Sequence, residues 1–363
     1  MNEEEKIRVI EEELKKVKYN KATEHHIGLL KAKLAKLRSS IEEKRRRGPA
    51  TSGYNIRKSG DATAIIVGFP SVGKSTFLNA ITDAQSKTAP YAFTTLSVIP
   101  GTLYYKGAKI QILDVPGIVE GAAIGRGRGR EVLNTARNAD LIILMADIRN
   151  PEHFEILIKE VESTNIRINK ERPDVVIAKT QRGGLKVSTT VKLTKIQMET
   201  VKAILSEFRI INAEVTIRQD IDQDELIDAI EKNRVYIPAV FVFNKIDIAT
   251  DEQIKRARDM YPNAIFISGE QGIGLDEIKK AIFDKLEFIR VFTKEVNKKA
   301  DMKEPLIVRR GTTVEGVCRK LHRDFITKFK FCRVYGKSAK FPGQKFMLNH
   351  KLEDGDIVEI HTK

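Results

Sequence analysis

Residues 68–76 read GFPSVGKST, and this short stretch sets the class of fold expected for the 363-residue chain. Its form, G-x-x-x-x-G-K-S, follows the apolar run AIIVG and leads into STFLNAIT, which has a helical pattern. A strand, a glycine-rich loop and a helix in this order form a phosphate-binding loop, because the loop N–H groups and the helix N-terminus converge on phosphate oxygens. The stretch therefore predicts an α/β fold that binds a nucleotide. A glycine-rich turn with an incidental lysine is disfavoured by both flanking elements.

The residue types within the phosphate-binding loop indicate separate tasks. Gly68 and Gly73 permit backbone dihedrals that a side chain would resist. We expect Lys74 to reach the β- and γ-phosphates and the Ser75 hydroxyl to bind Mg²⁺. The loop residues expected to contact the nucleotide are Gly68, Phe69, Pro70, Ser71, Val72, Gly73, Lys74, Ser75 and Thr76.

Two further segments predict the parts that respond to the γ-phosphate. AKIQILDVPG places Asp114 at a strand end, where its carboxylate can hold a Mg²⁺-bound water, and the Gly117 N–H can contact the γ-phosphate. YAFTTL supplies Thr94 and Thr95, of which we expect Thr95 to bind Mg²⁺ only when the γ-phosphate is present. The predicted catalytic residues are Lys74, Thr95 and Gly117, and the predicted metal ligands are Ser75, Thr95 and, through water, Asp114.

The stretch AVFVFNKID predicts which base is bound. Asp247 can accept hydrogen bonds from the N1–H and 2-amino groups of guanine, whereas adenine lacks this pair of donors. GTP and GDP are therefore favoured over ATP. We expect Asn244 and Lys245 to brace the loop and cover the ring, and Ser268 and Gly269, after the next strand, to lie near the base.

Composition limits the remaining possibilities. The net charge is +15 with a pI near 9.6, which favours an RNA-rich partner, although a generally lysine-rich surface is the alternative. Two cysteines are too few for a disulfide framework or a four-ligand zinc site. The acidic N-terminus lacks a signal core, and no apolar run could span a bilayer. We therefore predict a cytoplasmic protein without a membrane partner, and no DNA specificity is evident.

The order of helical and strand patterns predicts several parts. Residues 1–48 read as a helical hairpin, whose KRRRG end is either a solvated helix terminus or a phosphate contact. Residues 60–290 alternate strands and helices, which predicts a parallel sheet covered on both faces. The segment between Asp147 and Val240 is too long for a single connection between neighbouring strands, so about residues 165–235 are predicted to form an inserted α+β subdomain. Residues 291–363 read as a small β-rich domain around one helix, which Thr312 and Glu315 would open as a capping box.

Four stretches resemble the Obg superfamily of GTPases, specifically its developmentally regulated GTP-binding protein (DRG) subfamily of archaea and eukaryotes. They are GFPSVGKST, YAFTTL, DVPGIVEGAAIGRGRGRE and NKID, and the resemblance spans nearly the whole chain. It implies a P-loop GTPase domain with an N-terminal α-helical hairpin, a ribosomal-S5-like α+β insert and a C-terminal β-grasp (TGS) domain, which VRRGTTVEGVCRKLH resembles. It also implies cytosolic GTP hydrolysis linked to ribosomes and translation, with partners similar to DRG family regulatory proteins.

Some positions bear on the rate of hydrolysis. Ile118 stands where Ras-like GTPases carry a glutamine that orients the attacking water, so low intrinsic turnover is expected, although a hydrophobic residue is usual in the resembled family. Ser71 stands where related potassium-activated GTPases commonly have asparagine, so K⁺ stimulation is only a hypothesis. Arg126, Arg128 and Arg130 could assist catalysis in cis, but their alternating glycines favour contacts with a phosphate backbone or a partner.

The leading hypothesis is a switch in which GTP orders the loops of Thr95 and Gly117, the ordered state engages a ribosome, rRNA or tRNA, and slow hydrolysis ends the contact. The alternative is an RNA-associated binding scaffold with a structural nucleotide and little turnover, which Ile118 makes conceivable. A P-loop kinase or ATPase is disfavoured by Asp247.

Overall fold

The protein is described by a computed structural model that covers residues 3–18, 20–46, 60–82, 99–114, 136–296 and 298–362. Contacts divide the chain into two compact units, each of which is described by itself. The first unit comprises Met1–Gly53 and Lys170–Tyr236, and the second comprises Tyr54–Asn169 and Ile237–Lys363.

Helices and strands are numbered in chain order. In the described part of the chain, no helix combines the length and the apolar character needed to cross a membrane. The helices are α1 (Glu3–Lys16), α2 (Glu24–Arg46), α3 (Lys74–Ile81), α4 (His153–Ser163), α5 (Met198–Glu207), α6 (Gln223–Glu231), the 3₁₀ helix Ile246–Ile248, α7 (Asp251–Met260), α8 (Leu275–Lys285), α9 (Val314–Leu321) and α10 (Asp324–Thr327). The strands are β1 (Ala62–Gly68), β2 (Ile99–Tyr105), β3 (Ala108–Asp114), β4 (Leu141–Asp147), β5 (Ile166–Ile168), β6 (Val175–Lys179), β7 (Leu185–Thr189), β8 (Ala213–Ile217), β9 (Val235–Ile237), β10 (Ala239–Asn244), β11 (Ile265–Phe266), β12 (Phe288–Lys294), β13 (Leu306–Arg309), β14 (Phe329–Tyr335), β15 (Gln344–Phe346) and β16 (Ile357–Thr362).

In the first unit, α1 and α2 form an antiparallel hairpin that packs on the insert. The sequence predicts the hairpin and the insert as separate parts, whereas Ala32 and Ala35 of α2 belong to the same hydrophobic core as Val201 and Val215 of the insert. Small residues on α2 permit this approach: a Cβ added at Gly28 would lie 2.8 Å from Cγ2 of Thr200 on α5. The insert itself is a three-stranded sheet in the order β6-β8-β7 with α5 and α6.

The second unit contains a six-stranded sheet in the order β11-β10-β4-β1-β3-β2. Neighbours from β11 to β3 are parallel, as the alternation of strands and helices predicts. The edge strand β2 is antiparallel to β3, which the strand patterns in the sequence did not predict. The sheet is therefore mixed at one edge rather than parallel throughout.

Helices cover this sheet on both faces. Val240 and Val242 of β10 share a core with Phe77 of α3. On the opposite face the rings of Phe243 and Phe154, from β10 and α4, lie 4.7 Å apart. Alternate side chains of one strand thus enter different cores, which explains why the strand sequences are almost wholly apolar.

The C-terminal part of the second unit is a five-stranded sheet in the order β13-β12-β16-β14-β15, packed on α9. Helix α9 begins after Thr313, which makes no side-chain cap, so the expected capping box is wrong. The Thr312 hydroxyl instead donates to the Arg309 carbonyl at 2.6 Å. The N–H groups of Val314 and Glu315 donate to the carbonyls of His350 and Leu348, both at 2.9 Å, so the start of α9 is satisfied without a side-chain cap.

Candidate nucleotide-binding site

The candidate site lies at the carboxyl ends of the parallel strands. Asp114 ends β3, Gly68 ends β1, Asp147 ends β4 and Asn244 ends β10. Asp147 and Asn244 are paired neighbours in the sheet. Ligands of open α/β sheets bind in the crevice beyond these ends, so the fold brings together residues that are widely separated in sequence.

The phosphate-binding loop connects β1 to α3 in a conformation that depends on its glycines. Gly73 has φ +91°, and a Cβ there would lie 2.4 Å from Nδ2 of Asn244. A Cβ at Gly68 would lie 2.4 Å from the carbonyl oxygen of Met145. Lys74 Nζ donates to the carbonyl oxygens of Gly68 and Phe69 at 3.1 and 3.0 Å, so its ammonium group lies along the loop. The lysine is thereby placed beside the expected position of the phosphates.

Ser75 and Asp114 meet at the start of α3. The Ser75 hydroxyl donates to Oδ2 of Asp114 at 2.9 Å, and the aspartate is only 3% exposed. Within the described residues, Oδ1 of Asp114 is buried without a hydrogen-bond partner. Leaving a buried carboxylate oxygen unsatisfied is costly, and Mg²⁺ prefers oxygen ligands such as these two groups. The pair therefore fits a magnesium ion, which Ser75 would bind directly and Asp114 would hold through a water molecule.

Asn244 joins the phosphate side of the site to the base side. Its Nδ2 donates to the Val72 carbonyl at 2.9 Å, and its Oδ1 accepts from the Gly269 N–H at 3.0 Å. Ser268 is 1% exposed and accepts a hydrogen bond from the Gln271 N–H at 3.0 Å. One buried amide thus holds the phosphate-binding loop and the loop after β11 in a fixed relation.

Lys245 extends this connection. It has φ +71°, and its Nζ donates to the Ser71 carbonyl at 2.7 Å. Asp247 lies two residues further, half-buried in the 3₁₀ helix. The aliphatic stem of Lys245 can cover one face of a base whose edge meets the Asp247 carboxylate.

Asp147 is a component of the site that the sequence analysis did not identify. Its Oδ2 lies 3.1 Å from Lys245 Nζ, and its Oδ1 accepts from Nε of Arg149 at 2.8 Å. Burial acts to raise the pKa of Asp147, but the hydrogen bonds from Arg149 and Lys245 outweigh it and hold that pKa well below its usual value. The Asp147 carboxylate therefore stays charged at neutral pH. It is protonated, and its contribution to stability is lost, only as the pH falls through the pKa of the folded state. An acid ending the apolar run DLIILMAD, as Asp114 ends AKIQILD, was the available signal.

The substitution Asp147→Asn is expected to weaken GDP and GTP binding about tenfold, because Lys245 loses a charge-assisted hydrogen bond. Titration of a fluorescent GDP analogue measures the change. Asp276→Asn, which removes a carboxylate that is 99% exposed on α8, is the matched control. If Asp147 acts through Lys245, the losses in Asp147→Asn and Lys245→Ala will not add in the double variant. Additive losses would contradict this coupling.

Some predicted positions lie outside the described residues. Their roles stay predictions. They are Thr94, Thr95, Gly117, Ile118, Arg126, Arg128 and Arg130.

The fold and this site together define a P-loop GTPase, and comparisons with known proteins agree. Residues 63–180 match the family described as 50S ribosome-binding GTPase, and residues 182–288 match the C-terminal region of that domain. Residues 289–362 match the TGS domain. The predicted fold class, a P-loop GTPase domain followed by a TGS domain, is confirmed.

Relatives then identify the family. The chain is 54% identical over its full length to an uncharacterized GTP-binding protein of Methanocaldococcus jannaschii, covering 94% of that protein. It is 44% identical to the human developmentally-regulated GTP-binding protein 2, covering 99% of both chains. A solved structure, the YchF GTPase of Schizosaccharomyces pombe, is similar with a TM-score of 0.46 and 16% identity over 84% of this chain and 99% of that one. The chain belongs to the developmentally regulated GTP-binding protein family and hydrolyses GTP.

Proposed function

We propose that this GTPase is a cytoplasmic, GTP-driven switch that acts with ribosomes, through rRNA or tRNA, in translation. Residues 63–180 match a family described as 50S ribosome-binding GTPase, which supports the ribosome as a partner. GTP and GDP are the states of the switch, and Mg²⁺ is the accompanying ion.

The distribution of charge is the observation that carries the proposal. Residues 54–169 and 237–287, which contain the nucleotide site, have 20 Lys and Arg against 20 Asp and Glu. Residues 288–363 have 18 against 9, and residues 1–53 have 14 against 9. An excess of positive charge attracts polyanions such as RNA. The appendages therefore provide the affinity for RNA, and the nucleotide domain provides the timing.

The site residues support a modest catalytic step. Lys74 and the loop N–H groups are placed to stabilise the negative charge that develops on the phosphate oxygens. Mg²⁺, when bound, supplies further positive charge at the same oxygens. Ile118 cannot orient water, so an external partner is expected to accelerate hydrolysis.

Co-sedimentation with ribosomes tests the switch. The protein with a non-hydrolysable GTP analogue is expected in the ribosome fraction, and the GDP-bound protein is expected to remain in the supernatant. Binding that is equal in both states would contradict the switch but leave the GTPase assignment unchanged.

A scaffold with a structural nucleotide is the second candidate, and Ile118 is the residue that favours it. Phosphate release that rises above background and is abolished by Lys74→Ala or Ser75→Ala would count against the scaffold.

A partner similar to a DRG family regulatory protein is also proposed, and the C-terminal domain is a candidate docking point for it.

Potassium dependence gives a further prediction. If the potassium hypothesis holds, hydrolysis will be faster in KCl than in NaCl at equal ionic strength, because a monovalent cation beside the phosphates would help to stabilise the negative charge that develops there. Ser71, which stands in place of the asparagine common in potassium-activated relatives, has φ +61° and gives its carbonyl to Lys245. Equal rates of phosphate release in the two salts would discard the hypothesis.

A further inference from the structure

The C-terminal five-stranded sheet has one face that does not enter the core with α9. We call it the outer sheet face and define it by Lys294, Phe331, Arg333, Tyr335 and His361. The pairing of β16 with β12 and β14 places these side chains around Glu359 of β16. Arg333 is paired with Glu359, Lys294 with Glu359, and Phe331 with His361.

Glu359 organises the cations of this face. Its side chain is 3% exposed, and its Oε2 lies 2.5 Å from Lys294 Nζ. Its Oε1 lies 2.7 Å from Nε2 of His361 and 3.9 Å from Nη1 of Arg333. Burial acts to raise the pKa of Glu359, but the hydrogen bonds from Lys294 and His361 lower it below its usual value. One buried carboxylate therefore fixes two cations beside an imidazole, and positive charge remains in excess.

Flat rings lie beside these cations. The Phe331 and His361 rings are stacked, with centroids 4.3 Å apart and an angle of 19° between planes. Lys294 Nζ lies 4.7 Å from the centre of the Tyr335 ring, and Lys345 Nζ lies 4.7 Å from that of Phe331. All three rings are partly exposed. His361 on β16 covers one face of Phe331, and the exposed side chain of Lys345 on β15 lies over the ring from the other side, so a base reaches this ring by displacing the lysine side chain.

The β14–β15 loop beside this face also carries an exposed aromatic ring and exposed lysines. Phe341 in this loop is 60% exposed, and Lys337 and Lys340 beside it are exposed as well. The loop passes close to the outer sheet face, since a Cβ added at Gly343 would lie 3.2 Å from the Tyr335 ring.

We propose that the outer sheet face binds single-stranded RNA, with bases stacking on Phe331 and Tyr335 and phosphates meeting Arg333 and Lys294. Unpaired bases stack on exposed aromatic rings, whereas a duplex hides the faces of its bases. Alternating rings and cations also match the alternation of bases and phosphates along a strand. The inference deepens the proposed function and rests on it for the choice of RNA as partner.

The test uses the full-length protein with GDP and a fluorescent single-stranded RNA of about 12 nucleotides, with duplex RNA of the same sequence for comparison. Phe331→Leu is expected to weaken binding of the single strand about tenfold without changing its salt dependence, because stacking is lost and no charge is removed. Arg333→Gln is expected to weaken binding and to reduce the slope of log affinity against log salt by about 0.7, since one phosphate contact is lost.

Arg319→Gln is the matched control. It removes the same charge from α9, where Arg319 pairs with Glu315 at 2.6 Å, on the helix that packs against the other face of the sheet. Its affinity for RNA is expected to equal that of the unmodified protein. GDP affinity and melting temperature, compared for all variants, distinguish a lost surface from a lost fold.

Three outcomes would overturn the inference: equal effects of Arg319→Gln and Arg333→Gln, equal binding of duplex and single-stranded RNA, or no effect of Phe331→Leu in a folded protein. Selective loss of an acidic protein partner, with RNA binding intact, would reassign the surface to that partner. Ribosome co-sedimentation is a separate test of the proposed function. Sedimentation that does not depend on the nucleotide would contradict the switch, but it would leave the binding of single-stranded RNA to the outer sheet face unaffected.

Discussion

Lys74→Ala is expected to lower GTP turnover by at least about 10²-fold, the usual cost of removing one group that stabilises developing charge. Lys74 is the side chain placed along the phosphate-binding loop by its bonds to the Gly68 and Phe69 carbonyls. Ser75→Ala is expected to cause a loss of similar size, since Asp114 would lose its hydrogen bond from the Ser75 hydroxyl and Mg²⁺ would lose an expected direct ligand. Phosphate release at saturating GTP and Mg²⁺ measures both.

Lys255→Ala is the control for these variants, because Lys255 is an exposed lysine on α7 of the same domain. Its turnover is expected to be unchanged. Raising the Mg²⁺ concentration should partly restore Ser75→Ala but not Lys74→Ala, because of these two side chains only Ser75 is expected to bind the ion. Full activity in Lys74→Ala would show that the phosphates are held elsewhere, and the assignment of the site would be wrong.

Asp247→Asn is expected to weaken GTP binding about 10²- to 10⁴-fold, because the hydrogen bond from the 2-amino group is lost and the one from N1–H no longer has a charged acceptor. The same variant should gain affinity for xanthosine triphosphate. Xanthine carries a carbonyl where guanine carries its 2-amino group, and an amide can donate to that carbonyl while accepting from N1–H. Calorimetric titration with both nucleotides measures the exchange of specificity.

A gain of affinity for xanthosine triphosphate distinguishes a change in base recognition from a general loss of structure. A misfolded variant would bind neither nucleotide, whereas the predicted variant prefers the xanthine form. Asp259→Asn, at an exposed position of α7, should retain the preference for guanine. Unchanged affinity of Asp247→Asn for GTP would remove the reason for naming guanine as the base.

The sheet was largely predictable because its central strands are buried on both faces. The apolar runs ATAIIVG and AKIQILD coincide with β1 and β3. Strand β2 was missed because IPGTLYY contains proline and glycine, which usually mark the end of a strand. Gly101 has a packing reason: its Cβ would lie 2.8 Å from Leu78 Cδ1, so only glycine lets α3 lie against this edge.

Site residues were predictable where they belong to a motif of fixed spacing. They were less predictable where only the folded structure brings two distant residues into contact. Lys74, Ser75 and Asn244 were found because their spacing belongs to known nucleotide loops. Asp147 was not, because its contact with Lys245 crosses between neighbouring strands and has no local pattern in the sequence. The shared core of hairpin and insert had a weak signal in the small residues Gly28, Ala32 and Ala35 along one stripe of α2.

That shared core has a consequence for biosynthesis. The helices at the start of the chain leave the ribosome well before residues 170–236, the partners on which they pack. At bacterial or eukaryotic rates of elongation the delay is roughly 6 to 25 seconds. During this interval the small-residue stripe of α2 is uncovered, and the nascent N-terminus is open to chaperones or to premature pairing. A chain that begins after α2 would leave Val201 and its neighbours exposed, so the first helices serve as a delayed cover for the middle of their own polypeptide.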